Sequence, residues 1–304
     1  MSNRWHSLPK PIAFVFSAGA GSGAVQVGML QALHEAGLQP DLIVGASVGA
    51  LNGAVIACWG MAEGVRSLTA VWPHITREAI FPGGKLDQAR HFLSNRTSIF
   101  PNHNLIDLGV RTLPTRQFEA LAIPFGATAT DVMTYHGVLF TKGDLYQALL
   151  ASTAIPGIFP PVEIHGKLYV DGALTAYVPM SAAIQMGAAS LVVLDVGDAC
   201  QRTAPPRHVA EMVTWALHTA LRQRALVEAP AVAEQLPVLY LPSPCSVSKG
   251  LLDFSNISAR IQESYELAKA FLDYAPLPEA GMIVGGPHHH TDLDLPTLFD
   301  ITEA

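Results

Sequence analysis

An apolar run that ends in G-x-S-x-G and passes straight into a small-residue helix leaves a chain few folds to adopt. Here the run is Asp41-Leu-Ile-Val-Gly45-Ala46-Ser47-Val48-Gly49, followed by Ala50-Leu-Asn-Gly-Ala-Val-Ile-Ala57. That order predicts a strained strand-to-helix turn that lifts one serine hydroxyl clear of a sheet. Gly45 and Gly49 fit a turn with little room for side chains and a demand for positive φ. The helix beginning beside Ser47 would offer its N-terminal partial positive charge to an oxyanion formed there. The competing reading of the same residues is a tight turn in an α/β domain, with no chemistry at Ser47.

A second segment near the N-terminus has the same logic. Pro11-Ile-Ala-Phe-Val-Phe16 reads as a buried strand, Ser17-Ala-Gly-Ala-Gly-Ser-Gly23 as a loop, and Ala24–Ala36 as a helix stopped by Gly37. Strand, glycine-rich loop and helix together make a corner of bare backbone N–H groups suited to an anion. The anion is either a cofactor phosphate or an oxyanion generated by Ser47. Gly19-Ala-Gly21-Ser-Gly23 lacks the third glycine of G-x-G-x-x-G, because position 24 is Ala, and no Lys-Ser/Thr pair follows. An oxyanion hole is the better reading.

The third segment is Ala151-Ser-Thr-Ala-Ile-Pro-Gly-Ile-Phe-Pro-Pro161, then a hairpin over Val162–Val170 turning at His165-Gly166, then Asp171-Gly172-Ala173. On its own Asp171 is a turn-forming aspartate at a strand end. Taken together, the glycine-rich loop, G-x-S-x-G, A-S-x-A-I-P-G-x-F-P-P and D-G-A resemble, in order and context, the patatin-like phospholipases. The resemblance spans roughly residues 11 to 275. It implies a three-layer α/β/α fold with a mostly parallel central sheet, and a lipid acyl hydrolase whose nucleophile falls on Ser47. It places the aspartate of a Ser-Asp dyad on Asp171, and the oxyanion loop on Ala18–Gly23, with Gly19, Ala20 and Gly21 as donors. Asp253-Phe-Ser-Asn and the helix Ile257–Leu272 are similar to the family's C-terminal helix.

The same resemblance implies no cofactor and a carboxylic ester of a phospholipid, lysophospholipid or glyceride as substrate. This chain also departs from the family pattern. The family's loop commonly reads G-G-G-A-R-G, whereas Ala18, Ala20 and Ser22 stand here. Backbone N–H donors survive a Gly to Ala change where φ allows, but Ser22 removes a positive charge that would meet an anionic head group. Arg77, Arg90 or Arg96 from elsewhere would be needed to replace it. After D-G-A, Leu174-Thr-Ala-Tyr-Val-Pro179 replaces a more polar stretch. Two alternatives stay open: a Ser-His-Asp esterase using His208 or His218, and a non-catalytic lipid-binding relative.

Composition narrows the partners. The 304 residues carry a formal net charge of −7, half are hydrophobic and 14% are charged. The negative balance argues against nucleic acid and gives no general attraction to anionic lipid, while peripheral contact with a membrane surface stays compatible. The N-terminal residues lack an apolar h-region, and no continuous apolar run reaches bilayer-spanning length. Three scattered cysteines suit a reducing, cytoplasmic compartment. Of the 12 histidines, only His288–His290 cluster, and adjacent positions converge poorly on one ion, so no metal is expected. Oligomeric state is not legible.

Alternating elements fill the rest. Strands are expected at Ile12–Phe16, Leu42–Val44, Leu121–Thr130, Val138–Thr141, Leu191–Val196 and Val238–Leu241. Helices are expected at Ala24–Ala36, Asp144–Ser152, Ser181–Met186 and Arg207–Ala229. In the last of these, Val209, Met212, Val213, Ala216 and Ala220 form a stripe read as core-facing, with Arg222 and Arg224 on a solvated face. Residues 1–275 form the catalytic domain. Within it, residues 73–118 are an insertion, either a lid or pocket wall over the site or a packed excursion without a gating role. Residues 276–304 read as a loose, Pro-rich acidic tail.

Overall fold

The computed structural model describes residues 4–81, 84, 97–102, 113–197, 205–244 and 253–286. Among these, a nine-stranded mixed sheet carries helices on both faces. The central strands are β1 (Ile12–Phe16), β2 (Leu42–Ala46) and β3 (Phe125–Asp131), all parallel, with β7 (Ser190–Leu194), β8 (Val238–Tyr240) and β9 (Ile283–Gly285) continuing the parallel part beyond β1. Antiparallel β4 (Gly137–Phe140), β5 (Val162–Ile164) and β6 (Lys167–Asp171) complete it around β3.

Both faces of the central strands are covered, as all-apolar parallel strands require. In β1, Phe14 and Phe16 point into one core and Ala13 and Val15 into the other. The first core is closed by α1 (Gly23–Glu35), α2 (Val48–Val71) and α7 (Ile257–Tyr274). There α1 lies against α7 so closely that a side chain at Gly28 would meet the Ile261 carbonyl oxygen at 2.2 Å. The second core is closed by the short α5 (Met180–Gln185) and by α6 (Val209–Ala233). A one-turn α3 (Arg77–Ile80) and α4 (Leu145–Ser152, capped by Asp144) finish the helical set.

Three details differ from the sequence reading. The strand expected from Leu121 starts only at Phe125, because Phe118–Ala120 wind into a 3-10 turn first. Residues 276–286 are not a loose tail, since Ile283, Val284 and Gly285 pair in register with Val238, Leu239 and Tyr240. Residues 287–304, with His288–His290, lie outside the described set, as do Cys200, Cys245, Arg90, Arg96 and the middle of the 73–118 insertion. Third, the apolar stripe of α6 faces outward: Val209, Met212 and Val213 are exposed while Arg222 is buried.

By composition Val48–His74 is long and apolar enough to cross a bilayer, with mean hydropathy 1.3, although it is no unbroken apolar run. In this fold it is a core element. Gly60, at φ +73°, breaks it, and the second arm turns back until Gly64 touches Ile56.

Candidate active site

The elbow forms for steric reasons that can be read atom by atom. A side chain on Gly45 would meet the Gly49 carbonyl oxygen at 2.5 Å, and one on Gly49 would meet the Ser17 carbonyl oxygen at 2.4 Å. Positive φ falls on Ser47 itself (φ +53°, ψ −125°) rather than on either glycine. A non-glycine residue held there stores strain of about 1–3 kcal/mol, which the packed strand and helix on either side must hold. The Ser47 N–H donates to the hydroxyl of buried Ser152, at the end of α4, at 3.0 Å.

Strand register brings Asp171 to the same point. On β3, residues 127 and 128 pair with both β2 and β4, while residues 129 and 130 pair with both β4 and β6. A strand has two edges, so β6 must lie on the edge that β2 occupies. The two strands run towards each other along it. β2 ends with Ala46 opposite Thr128, and β6 ends with Asp171 opposite Ala129. Ser47 Oγ donates to Asp171 Oδ2 at 2.6 Å, while Asp171 Oδ1 accepts the Ala173 N–H at 2.8 Å. Among the described residues no imidazole stands between them. Gly172 then leaves the strand so close to the Thr128 carbonyl oxygen (2.3 Å from a Cβ) that no side chain fits.

Full burial pushes the Asp171 carboxyl up to about 7, against the opposing pull of the Ser47 hydroxyl and the Ala173 N–H. The cause is desolvation, which penalises the charged form. A second buried carboxylate, Asp195, just past β7, behaves oppositely. Burial raises it most strongly of any single influence, but the Arg222 guanidinium, the Tyr240 hydroxyl (2.5 Å) and the Gly197 N–H (2.9 Å) together outweigh that. Its carboxyl is held below the ordinary range. Arg222 is therefore an interior partner and not part of a solvated face.

The glycine-rich loop runs between the ends of β1 and β7. The first hydrogen bonds of its 3-10 turn are donated by Ser22 to Gly19 and by Gly23 to Ala20. Ahead of them, the N–H groups of Gly19, Ala20 and Gly21 have no backbone acceptor among the described residues. Ala20 takes a left-handed φ of +45°, so the Gly to Ala change is accommodated with strain and the backbone keeps its turn. The loop is fixed from three sides. The Ala18 N–H donates to the Tyr177 carbonyl (2.9 Å), Gly19 lies against Val196, and Gly21 lies against the Asp253 carbonyl. Asp253 is itself held by Arg260 at 2.7 Å. Under the loop, Trp72 donates to Asn52, Asn52 to Gln26, and Gln26 to the Ser17 and Leu194 carbonyls, at 2.8–3.2 Å. The sequence reading did not anticipate this network, Ser152 or the Asp195–Arg222 pair.

Ser47 and Ala20 line an apolar pocket. Its walls are the two arms of the broken α2 (Leu51 and Val55 on one, Leu68 and Val71 on the other) and an aromatic cap. In that cap Phe81 stacks on Phe159 at 5.5 Å between centroids and meets Phe100 edge-on at 5.1 Å. Ile75, Ile80 and Phe81 come from the 73–118 insertion, and the Ile99 and Phe100 N–H groups bond to the Gly157 and Ile158 carbonyls. Ile75, Ile80 and Phe81 of the insertion thus line the pocket. His208 is exposed at the start of α6, His218 stacks edge-on with Tyr177, and Arg77 is exposed. Among the described residues no three His, Cys, Asp or Glu side chains cluster tightly enough to hold a metal ion.

The family profile described as patatin-like phospholipase matches residues 14–184, more than half of the chain and the span from β1 past Asp171. The chain belongs to the patatin-like phospholipase family. It is 30% identical over 199 residues to mouse patatin-like phospholipase domain-containing protein 7, covering 61% of this chain but 14% of that protein. An uncharacterized NTE family protein of Mycobacterium bovis is 31% identical over 179 residues, covering 59% of this chain and 46% of the other. The chain thus spans less than half the length of these relatives. Among solved structures, VipD from Legionella pneumophila aligns over 87% of this chain and 67% of its own, with 13% identity and a TM-score of 0.43.

Proposed function

We propose that this protein hydrolyses carboxylic esters of lipids through an acyl-enzyme on Ser47, with Asp171 as its base. The observation that carries the reading is the direct Ser47–Asp171 hydrogen bond, with Ser47 lining an apolar pocket. As Ser47 Oγ attacks the ester carbonyl, its proton passes to Asp171 Oδ2. The tetrahedral oxyanion takes hydrogen bonds from the N–H groups of Gly19, Ala20 and Gly21, which need no reorganisation to receive it. The leaving alcohol recovers the proton as the tetrahedral state collapses. Water then repeats the sequence against the acyl-enzyme and releases the acid. Atoms and protons balance without a cofactor.

An aspartate is normally too weak a base for an alcohol. With its carboxyl raised to about 7, Asp171 is matched to proton transfer near neutral pH. The walls of the pocket suit an acyl chain, and a phospholipid, lysophospholipid or glyceride supplies one. The test is a panel of such esters with purified protein, plus a fluorophosphonate probe. Ser47 is the expected site of labelling, and Ser47→Ala is expected to abolish turnover while keeping the wild-type circular dichroism spectrum. Wild-type turnover by Ser47→Ala, or labelling elsewhere, would remove Ser47 as nucleophile. Absence of both Ser47 labelling and turnover of any ester would leave a lipid-binding relative as the better description.

A further inference from the structure

We propose that the N-terminal half of α6 is a membrane-docking finger that seats the protein on a lipid surface beside its pocket. This rests on the acyl hydrolase reading for its substrate but on separate residues for its evidence. The argument begins with the fixed point of the helix. Arg222 is pinned to Asp195, the residue after β7, and β7 ends level with β1, whose next residue opens the glycine-rich loop. Asp195 therefore marks the edge of the sheet where Ser47 sits. From Arg222 onward, Ala225, Ala229, Val232 and Ala233 pack into the second core.

The helix before Arg222 runs the other way, past that edge. At 1.5 Å per residue, Val209 lies about 20 Å beyond the ion pair. This segment is apolar but not covered. Val209 is 82% exposed, Val213 62%, Met212 48%, Leu217 43% and Trp215 41%. Val209, Met212, Val213 and Ala216 share one face at helical spacing, and Trp215 and Leu217 lie to either side of it. Glu211 is the only Asp, Glu, Lys or Arg from 209 to 221. Slippage cannot turn the stripe inward, because the buried Arg222–Asp195 pair fixes the helix rotation.

A helix that is apolar around most of its girth needs an apolar surrounding. A protein partner offers a shaped patch with a polar rim of hydrogen bonds. The finger presents little to pair with such a rim. A bilayer interface takes apolar side chains from several directions at once and offers the polar flanks, Arg207 and His208, a place among head groups. The finger and the pocket share one edge of the sheet, so a surface that receives the finger lies where an ester would enter. The net charge of −7 means that apolar insertion, not attraction to anionic lipid, is the driving force.

The test is flotation of the intact protein with phosphatidylcholine vesicles, alongside turnover of an ester held in those vesicles and of a dissolved short-chain ester. Wild type is expected to float in high salt, with a blue shift of tryptophan emission that Trp215→Phe removes. Met212→Glu with Val213→Glu is expected to cut vesicle affinity and vesicle-ester turnover by about tenfold or more. Dissolved-ester turnover should stay within about twofold, since neither residue lines the pocket. Val213→Leu should float as wild type does. The proposal is overturned if wild type does not float, or if the double variant floats equally well. A wild-type dimer that the double variant converts to monomers would overturn it too, making the stripe a subunit interface. Flotation without turnover of either ester would keep the finger and sink the hydrolase reading.

Discussion

Asp171 and Asp195 are two buried carboxylates at the same edge of the same sheet, and their surroundings act on them in opposite directions. Asp195 has a guanidinium, a phenol and a backbone N–H; Asp171 has a hydroxyl and a backbone N–H, with no cation against it among the described residues. Desolvation acts on both. Only at Asp195 is it overcome, which leaves that carboxylate fixed as an anion and unavailable as a base. At Asp171 it is left standing, and the proton affinity it creates is what the proposed chemistry needs. Burial alone therefore does not set a carboxylate's proton affinity; whether a cation stands against it decides the direction.

The comparison breaks most severely at Arg222. Arg222→Ala leaves Asp195 buried without its cation, so a loss of about 3–5 kcal/mol is expected in urea unfolding. A smaller loss than that of an ordinary surface change would mean that Asp195 is not held as an anion. Asp171→Asn acts on the other member. Turnover should drop by about 10²-fold or more, whereas His208→Ala and His218→Ala stay near wild type. Collapse in either histidine variant with an active Asp171→Asn would bring back the Ser-His-Asp alternative.

The pH dependence sharpens the contrast further. Asp171 binds a proton more tightly folded than unfolded, so its favourable contribution is complete below about pH 4 and is lost as pH rises through about 7. Asp171→Asn should therefore gain in Tm over wild type between pH 4 and pH 8, by up to about 4 kcal/mol of stability on linkage. Wild-type kcat/KM should rise with pH through an ionisation near 7. Asp195, lowered in the fold, gives stability that persists at neutral pH and vanishes only as pH falls below the carboxylate range. A flat Tm difference across that interval would show that Asp171 is not raised. The smallest effect is expected at half-buried Ser22, in the loop beside the site. Ser22→Arg should shift preference towards anionic over zwitterionic phospholipid of identical chains by a few-fold, roughly 1 kcal/mol for one partly exposed charge. An unchanged ratio would free position 22 from any role in reading the head group.

How much of this was legible depended on whether the signal was local. Strand β1, the elbow and the helix after the glycine-rich loop follow from periodicity and glycine placement, and their bounds fall within a few residues; the helix after the elbow starts near its expected place but runs on to Val71. Asp171 carries no such local mark. Bottom-up it is one aspartate among several, and only the resemblance singled it out. Asp195 and Arg222 are 27 residues apart, and nothing between them announces a pair. The stripe on α6 misled because apolar spacing was assumed to face inward. Ala225, Ala229 and Val232 continue the face of Glu211, Thr214, His218 and Arg222, and that phase would have shown the true inner side. The three-residue β9 is too short for alternation to register against its Pro- and Gly-rich surroundings.

The meeting of β2 and β6 end to end along one edge of β3 has a consequence for how activity would be lost. The spacing of Ser47 and Asp171 is a property of strand pairing in the middle of the sheet, not of a loop that opens on its own. Local opening has many low-energy routes at chain ends and surface loops, and few through a central ladder. In a denaturant titration, enzymes with loop-borne sites go silent well before they unfold. Here the two curves should lie on top of each other, with the last folded molecules also being the last active ones.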